Sequence, residues 1–165
     1  MFGEMRRKKQ ALPLEACEKI LERGTSGVLA LEGEEGYPYA VPLSYYYEKG
    51  KIFFHCGKSG YKIEALKRNE KVSFCVIDQD QIIPEEYTTY FRSVIVFGKI
   101  RILEGEEEKR RAIEKLALKY APEEPEEKTN RAIDREFSPL CMLELSIEHI
   151  SGKEAIELVR EKRER

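Results

Sequence analysis

The spacing of apolar residues changes along the chain, from a helical period near the start to an extended one. Cys17, Ile20 and Leu21 fall on one face of a helix, and Gly24 follows as a stop signal, which predicts a helix over Leu14–Arg23. Three apolar and aromatic runs come next, separated by turn residues, and they predict a three-stranded antiparallel meander. These runs are residues 27–32, 38–47 and 51–56.

The second half of the chain alternates helical and extended patterns. A glycine-bracketed loop over residues 57–60 leads into a predicted helix, Tyr61–Arg68, and an amphipathic pattern predicts another helix over Glu106–Tyr120. The strongest strand pattern covers residues 91–103, where Gly98 marks a bend. The remaining predictions are strands 72–77 and 141–150, a polar loop 78–89, a short helix 129–136 and a helical or frayed tail from residue 157.

About six strands with short early connections exclude a doubly wound parallel sheet, which needs a helix between every pair of strands. The pattern therefore predicts a mainly β protein with flanking helices, built on a small closed or nearly closed antiparallel barrel. The length of 165 residues suits one domain. We expect that domain to cover residues 1–150, with a charged C-terminal tail over residues 151–165.

Charge and composition exclude several classes of function. The 31 acidic and 29 basic residues nearly cancel and are scattered, so the chain lacks the concentrated basic face of a nucleic-acid-binding protein. The charged fraction of 36% is typical of thermophilic proteins. Apolar runs are too short to cross a bilayer, and the N-terminal segment has no signal-like apolar core. We therefore expect a cytoplasmic protein without a membrane or nucleic-acid partner.

The four cysteines, Cys17, Cys56, Cys75 and Cys141, are widely spaced, and the chain has only two histidines. Neither a disulfide framework nor a zinc site is indicated by this spacing. We expect four reduced cysteines in or near the core. Because neighbouring residues of a strand point to opposite faces, Cys56 is not expected to act as a nucleophile with its neighbour His55.

The loop over residues 57–60 is the first candidate site, because a strand end, two glycines and a helix start follow one another there. Free N–H groups of a first helical turn bind anions, and His55, Ser59 and Lys62 can add side-chain donors for a phosphate. The glycine spacing fits neither a P-loop nor a dinucleotide fingerprint. The alternatives are a plain turn into a surface helix and, for His55, a proton donor or a core imidazole.

The run over residues 38–47 is the second candidate site. Pro38 and Pro42 have the same parity, so both remove donors from one edge of the strand, which cannot then carry a continuous ladder. Ser44 has the same parity but keeps its N–H, which a planar ligand could accept. The alternative is an ordinary edge strand that its prolines protect from aggregation.

Four segments together resemble a known family. The first is residues 5–8, before the first helix, and the second is residues 38–45. The third comprises residues 54–56 and 60–62, and the fourth is residues 93–99. Their order and spacing are similar to those of nitroimidazole-resistance proteins, a branch of the pyridoxamine 5′-phosphate oxidase-like superfamily. The resemblance covers residues 5–150.

This resemblance implies a six-stranded antiparallel split β-barrel that binds FMN, with two subunits packed together and one flavin at each end of their interface. Three groups of residues would then contact the flavin. They are Val41, Pro42, Leu43 and Ser44 along the isoalloxazine ring, His55, Ser59 and Lys62 at the 5′-phosphate, and Ser93 and Val94 reaching it from the second subunit.

The chain departs from the family pattern at two positions beside the phosphate. Cys56 replaces a small glycine, and Tyr61 stands where an arginine often precedes the lysine, so phosphate affinity would depend more heavily on Lys62. The arginine and tryptophan with which true pyridoxamine phosphate oxidases hold their ligands have no counterpart, since the chain contains no tryptophan. The resemblance therefore disfavours vitamin B6 oxidation.

Three functions remain open from the sequence. The first is an FMN-dependent oxidoreductase that takes electrons from NAD(P)H and reduces a small nitroaromatic-like acceptor, with His55 as the one candidate proton donor. The second is a non-enzymatic module that stores, carries or senses a flavin or a haem. The third is a dimeric barrel without a cofactor.

Overall fold

The computed structural model describes residues 2–164, which form eight strands and five α-helices. The strands are β1 (Ala11–Leu12), β2 (Ser26–Glu32), β3 (Pro38–Ser44), β4 (Tyr46–Glu48), β5 (Lys51–Gly57), β6 (Lys71–Ile83), β7 (Thr88–Ile102) and β8 (Leu140–Glu154). The helices are α1 (Leu14–Arg23), α2 (Tyr61–Arg68), α3 (Glu106–Tyr120), α4 (Glu126–Glu136) and α5 (Ile156–Glu164).

One antiparallel sheet runs in the order β3-β2-β6-β7-β8-β5-β4, and β1 pairs with β8. Its end strands, β3 and β4, are joined through the single residue Tyr45. The sheet must therefore curl until its two ends approach each other. Within residues 2–164 no ladder joins β3 to β4 or β5, so the barrel stays split along this line. The predicted fold class is confirmed, with eight strands instead of six.

The predicted meander is confirmed in its two antiparallel turns, β2 with β3 and β4 with β5, but its middle strand, residues 38–47, divides at Tyr45. β3 pairs with β2, whereas β5 pairs with β4 and β8. The physical reason lies in Pro38 and Pro42, which leave the far side of β3 without two of its amide donors. The strand is thereby kept at the edge of the sheet.

The predicted polar loop over residues 78–89 is also wrong. β6 and β7 continue through it as a hairpin, which turns at the 3₁₀ segment Pro84–Glu86 and at Tyr87, where φ is 52°. Even the large side chains of Ile82 and Tyr87 are largely exposed here, so neither face of the hairpin packs against the core. Polar residues can therefore occupy both of its faces. Polarity here reports exposure to solvent, not the lack of a strand.

Two boundaries differ from the predicted ones at the C-terminal end. β8 continues to Glu154, so a domain limit after residue 150 would fall inside a strand. The charged tail is helical, as α5. Helix α4 begins at Glu126, three residues earlier than the apolar pattern indicated, since its first turn is acidic and exposed.

Apolar side chains form two separate clusters on the two faces of the sheet. The larger one fills the barrel, where Leu29, Phe54, Phe74 and Val96 are fully buried. The smaller cluster packs α3 and α4 against the outside of β8 around Met142. The helices α3 and α4 therefore cover the part of the sheet that β5 and β8 share, beside the residues proposed for ligand binding.

A β-bulge in β6 aims one carboxylate at two arginines. Ile77 pairs with Ser93 and Gln79 with Arg92, which leaves Asp78 as the extra residue. Its carboxylate accepts two bonds of 2.7 Å from Arg23 and one of 3.1 Å from Arg92. The Arg23 guanidinium, and then Arg92, hold the pKa of Asp78 below its usual value although burial opposes this shift.

The substitution Asp78→Asn is expected to lower the free energy of unfolding by about 1–3 kcal/mol at neutral pH. Because the pKa of Asp78 is depressed in the fold, this stabilisation is present above the usual value of 3.8 and is lost as the pH falls through the folded-state pKa. Urea denaturation of both proteins at several pH values measures the difference. Asp80→Asn, at an exposed position of the same strand, is the control; an equal loss there would contradict the role of the arginines.

No α-helix within residues 2–164 has both the length and the apolar character needed to cross a bilayer. The cytoplasmic location stays a prediction. All four cysteines are free thiols, and the described residues contain no cluster of three or more metal-ligating side chains.

Candidate functional site

The loop over residues 57–60 forms an exposed cradle at the end of β5. Gly60 has a φ of 120°, which glycine adopts readily and other residues rarely do. It lies immediately before the first turn of α2. The N–H of Glu64 is the first to bond back, to Gly60 O at 3.2 Å, so the amides of the first turn are free for an anion. Ser59 is exposed and Lys62 is half-buried beside them.

The strand of the second candidate site, β3, lies at the edge of the sheet. Pro38, Ala40, Pro42 and Ser44 alternate as exposed residues, and the residues between them face the barrel interior. Since proline has no N–H to donate, the shared parity directs the amides of Ala40 and Ser44 to the unpaired side of β3. A planar ligand that lies along this side would meet main-chain donors, not another strand.

Ser44 and His55 meet in one pocket although β3 is the first strand of the sheet order and β5 is the last but one. The pocket has a volume of about 400 Å³ and is covered by α3 and α4. We call it the Ser44–His55 pocket. Six of its ten lining residues are apolar, and the four polar ones are Ser44, His55, Tyr120 and Glu136. The apolar ones are Ile113, Leu116, Ala117, Ala132, Ile133 and Leu140.

The last turn of α3 holds the chain where β3 turns into β4. Lys119 Nζ donates to the carbonyl of Tyr45 at 3.1 Å and to that of Gly24 at 2.5 Å. The Tyr45 N–H donates to the Tyr120 hydroxyl at 2.9 Å. Burial lowers the pKa of Lys119, whose ammonium lies 4.2 Å from the centre of the Tyr45 ring. These contacts fix the residue next to Ser44 and thereby one wall of the pocket.

A second pocket, of about 520 Å³, lies beside the loop and adjoins the first one at Leu140. We call it the Lys58 pocket. The buried Lys109 donates to Phe137 O at 2.5 Å, and its pKa is lowered by burial and by the charge of Lys58. Cys141 also lines this pocket. The two pockets together give the site a largely apolar end at Ser44 and a lysine-containing end at the loop.

Opposite the barrel interior, the sheet presents a row of small and apolar side chains. Register places Pro42 beside Val28, Val28 beside Cys75, Cys75 beside Ile95 and Ile95 beside Ser151. We call this row the outer face. Val28 and Ile95 are each 40% exposed, although both are aliphatic. Contiguous exposed apolar patches mark interaction surfaces, which makes the outer face a candidate for one.

The nine nominated residues divide by the direction of their side chains. Pro42, Ser44, His55 and Ser59 are exposed around the site, and Lys62 is half-buried at the loop. Val41 and Leu43 are half-buried and pack against the barrel core, so on the edge of β3 they present mainly their main-chain atoms to a ligand.

Ser93 and Val94 have different surroundings. Ser93 has the same parity as Ile95 and is half-buried on the outer side of β7. Val94 is 0% exposed inside the barrel of its own chain. Strand alternation turns the Val94 side chain inward, so a contact with a flavin of the second subunit would have to use its main-chain atoms. That contact stays a prediction.

Sequence reasoning missed the helical half of the site. The sequence pattern predicts the helices that carry Lys119, Tyr120, Ala132 and Glu136 but assigns none of these residues to the site. Their spacing identifies α3 and α4 as helices, but which sheet face these helices cover depends on long-range packing. The one local signal for this part of the site is a lysine next to a tyrosine at the end of a helix, beside its apolar stripe.

A family model described as pyridoxamine 5′-phosphate oxidase matches residues 13–154. This span covers most of the chain, and the chain therefore belongs to that family. The resemblance inferred from the four segments is confirmed. A comparison with curated proteins finds no match.

Solved structures share the fold over most of their length. A protein assigned to 5-nitroimidazole antibiotic resistance, from Bacteroides thetaiotaomicron, is 23% identical with a TM-score of 0.71, over 87% of this chain and 85% of that one. An FAD-binding protein from Mesorhizobium loti is 25% identical with a TM-score of 0.66, over 88% and 97%. An FAD- and heme-binding protein from Mycobacterium smegmatis is 19% identical with a TM-score of 0.71, over 89% and 73%.

Proposed function

We propose that this chain binds a flavin, specifically FMN, and acts as an oxidoreductase that passes electrons from NAD(P)H to a small nitroaromatic-like acceptor. The observation that carries the proposal is the meeting of Ser44 and His55 in one pocket, next to the loop over residues 57–60. Two of the compared proteins are described as FAD-binding, which supports a flavin as the ligand class.

The donor set at the loop suits a phosphate monoester. Free amides of the first turn of α2 and the ammonium group of Lys62 supply positive potential, and Ser59 supplies a hydroxyl donor. A dianionic phosphate there would lie at the solvent-exposed rim, where the glycines allow close approach. The flat ring would extend along β3 past the amides of Ala40 and Ser44.

A bound flavin supplies the two-electron chemistry, so the protein has to hold the ring, exclude water and leave one side open. The apolar walls of the Ser44–His55 pocket exclude water, and the volume of about 400 Å³ suits a small aromatic acceptor. His55, at the rim of this pocket, is the candidate proton donor to the acceptor. Family membership alone does not assign vitamin B6 oxidation, because one fold hosts many activities.

We also propose that two copies pack through the outer face and that each flavin lies at their interface. Apart from Ser151 the outer face is apolar, and the row from Pro42 to Ser151 contains no charged residue. A twofold dimer would bury the same patch on both copies. Ser93 would then be close to the ligand of the partner copy.

The purified protein, supplied with FMN and freed of excess ligand, tests the enzymatic proposal. Under anaerobic conditions, NADH or NADPH is expected to bleach the flavin absorbance, and a nitroaromatic compound to restore it. Wild-type protein with bound flavin that neither nicotinamide reduces would contradict the reductase. Free FMN at the same concentration is the control for uncatalysed reduction.

A non-enzymatic flavin- or haem-binding module is the second candidate. The observation that favours it is His55, an imidazole at the rim of a largely apolar pocket, which is also the arrangement of a haem axial ligand. A stable flavin that is inert to both nicotinamides would support storage or sensing. A Soret band after addition of haemin, lost in His55→Ala, would support haem.

A further inference from the structure

Two of the four cysteines face each other across neighbouring strands. Cys56, near the end of β5, is directly opposite Cys141 of β8 in the antiparallel register. The preceding pair on this face is Phe54 and Leu143, and both of these residues are fully buried in the barrel. Because directly opposed residues have their side chains on one face, both sulfur atoms point to the same end of the barrel.

The main-chain bonding determines which type of pair this is. Met142 O accepts from Leu103 N–H on the β7 side, and Ile147 N–H donates to Gly50 O on the β5 side. The odd-numbered residues of β8 therefore direct their main-chain groups to β5. Cys56 and Cys141 thus form a hydrogen-bonded pair, for which the Cα separation is about 5.5 Å, within the range of about 4.4–6.8 Å seen in disulfides.

The other two cysteines have no such partner. Cys75 is opposite Val28 and Ile95, and the Cys17 sulfur lies near Leu12 and Gly152. Cys141 lines the Lys58 pocket, and Cys56 is half-buried, so a small oxidant can approach the pair from solvent.

The geometry points to a reversible disulfide between Cys56 and Cys141 that forms when the protein meets a peroxide. In the first step the Cys56 thiol loses its proton to solvent and the thiolate attacks hydrogen peroxide. The O–O bond breaks, and the departing hydroxide takes up a proton, so that a sulfenic acid and one water result. In the second step the Cys141 sulfur attacks the sulfenic sulfur, the S–O bond breaks and a second water leaves with the thiol proton. The two sulfurs lose two electrons to the peroxide, and a dithiol reductant returns them.

The environment of the pair makes this reaction slow and the product stable. Burial, and then the neighbouring Cys141, raises the pKa of Cys56 to about 11, while Lys62 lowers it. Little thiolate is therefore present at neutral pH, so oxidation takes place on sustained exposure. The bond would close a long loop, from residue 56 to residue 141, and join β5 to β8 just before the glycine loop.

The variant Cys17→Ala/Cys75→Ala, which retains only the proposed pair, tests this inference with hydrogen peroxide as the probe. Two titratable thiols in the unfolded protein are expected to fall to zero, with a monomer mass lower by two hydrogen atoms and full recovery by dithiothreitol. The melting temperature is expected to rise by roughly 5–15 °C on oxidation. Cys56→Ala/Cys141→Ala is the control and should show no such rise.

Three results would overturn the inference: two thiols that persist, a bond between two copies of the chain, or sulfinic acid on Cys56 with Cys141 still reduced. Should the first variant fold poorly, peptide mapping of the oxidised wild-type protein decides, since a Cys56–Cys141 linked peptide is expected there. None of these measurements depends on flavin binding.

Discussion

Replacing Ile95 with glutamate is expected to convert a dimer into a monomer and to abolish FMN retention. Ile95 lies in the outer face between Cys75 and Ser151 and is 40% exposed in the single chain. A twofold interface would bury two copies of the new carboxylate without a partner, at a cost of several kcal/mol for each ion. The dissociation constant of the dimer should rise on the order of a thousandfold.

Light scattering coupled to size-exclusion chromatography, and flavin absorbance after desalting, measure both effects of Ile95→Glu. Leu118→Glu is the matched control, because Leu118 is 63% exposed on α3, away from the outer face. It introduces the same charge and should leave both properties unchanged. An Ile95→Glu protein that remains dimeric would show that the copies pack through another surface. A wild-type monomer that binds FMN would contradict a flavin site at a dimer interface.

The substitution Lys62→Ala is expected to weaken FMN binding by about 1.5–3 kcal/mol, which is roughly a 10- to 150-fold increase in Kd. Lys62 is the half-buried cation in the first turn of α2, where Tyr61 takes a position that an arginine often holds in related proteins. The charge-assisted contact with the phosphate therefore has to come largely from this one side chain. Fluorescence titration of the variant with FMN measures the change.

Riboflavin, which lacks the phosphate, provides the sharper comparison for Lys62. The Lys62→Ala substitution should leave riboflavin affinity unchanged, so that FMN and riboflavin bind the variant more equally than they bind the wild type. Lys19→Ala, at an exposed position of α1 that lines neither pocket, removes the same charge and should change neither affinity substantially. Equal losses for both ligands would mean that Lys62 acts on the fold and that the phosphate is bound elsewhere.

Local patterns predicted most of the elements and the type of fold. The alternation of β2 and the helical stripes of α1 and α3 depend on neighbours in sequence, and they were predicted correctly. The pairing of β5 with β8 was not, because it joins residues far apart in the chain. The hairpin arm at the ends of β6 and β7 was missed for a different reason, since its exposed strands lack an apolar face.

The site was predictable where the chain itself carries the chemistry. The loop over residues 57–60 and the proline-interrupted strand β3 were identified from residue types and parity. The pocket that joins Ser44 to His55 was not, because it forms only when the sheet curls and α3 covers it. Val94 illustrates the limit of a motif, which identifies a position but not the face to which the side chain points.

A crystal structure of the protein grown with FMN tests the central claim most directly. We expect the phosphate on the amides of the α2 first turn, within hydrogen-bonding distance of Lys62, and the ring along the free side of β3 between two copies of the chain. A flavin phosphate bound away from residues 57–62, or a ring held within a single copy far from β3, would contradict the account.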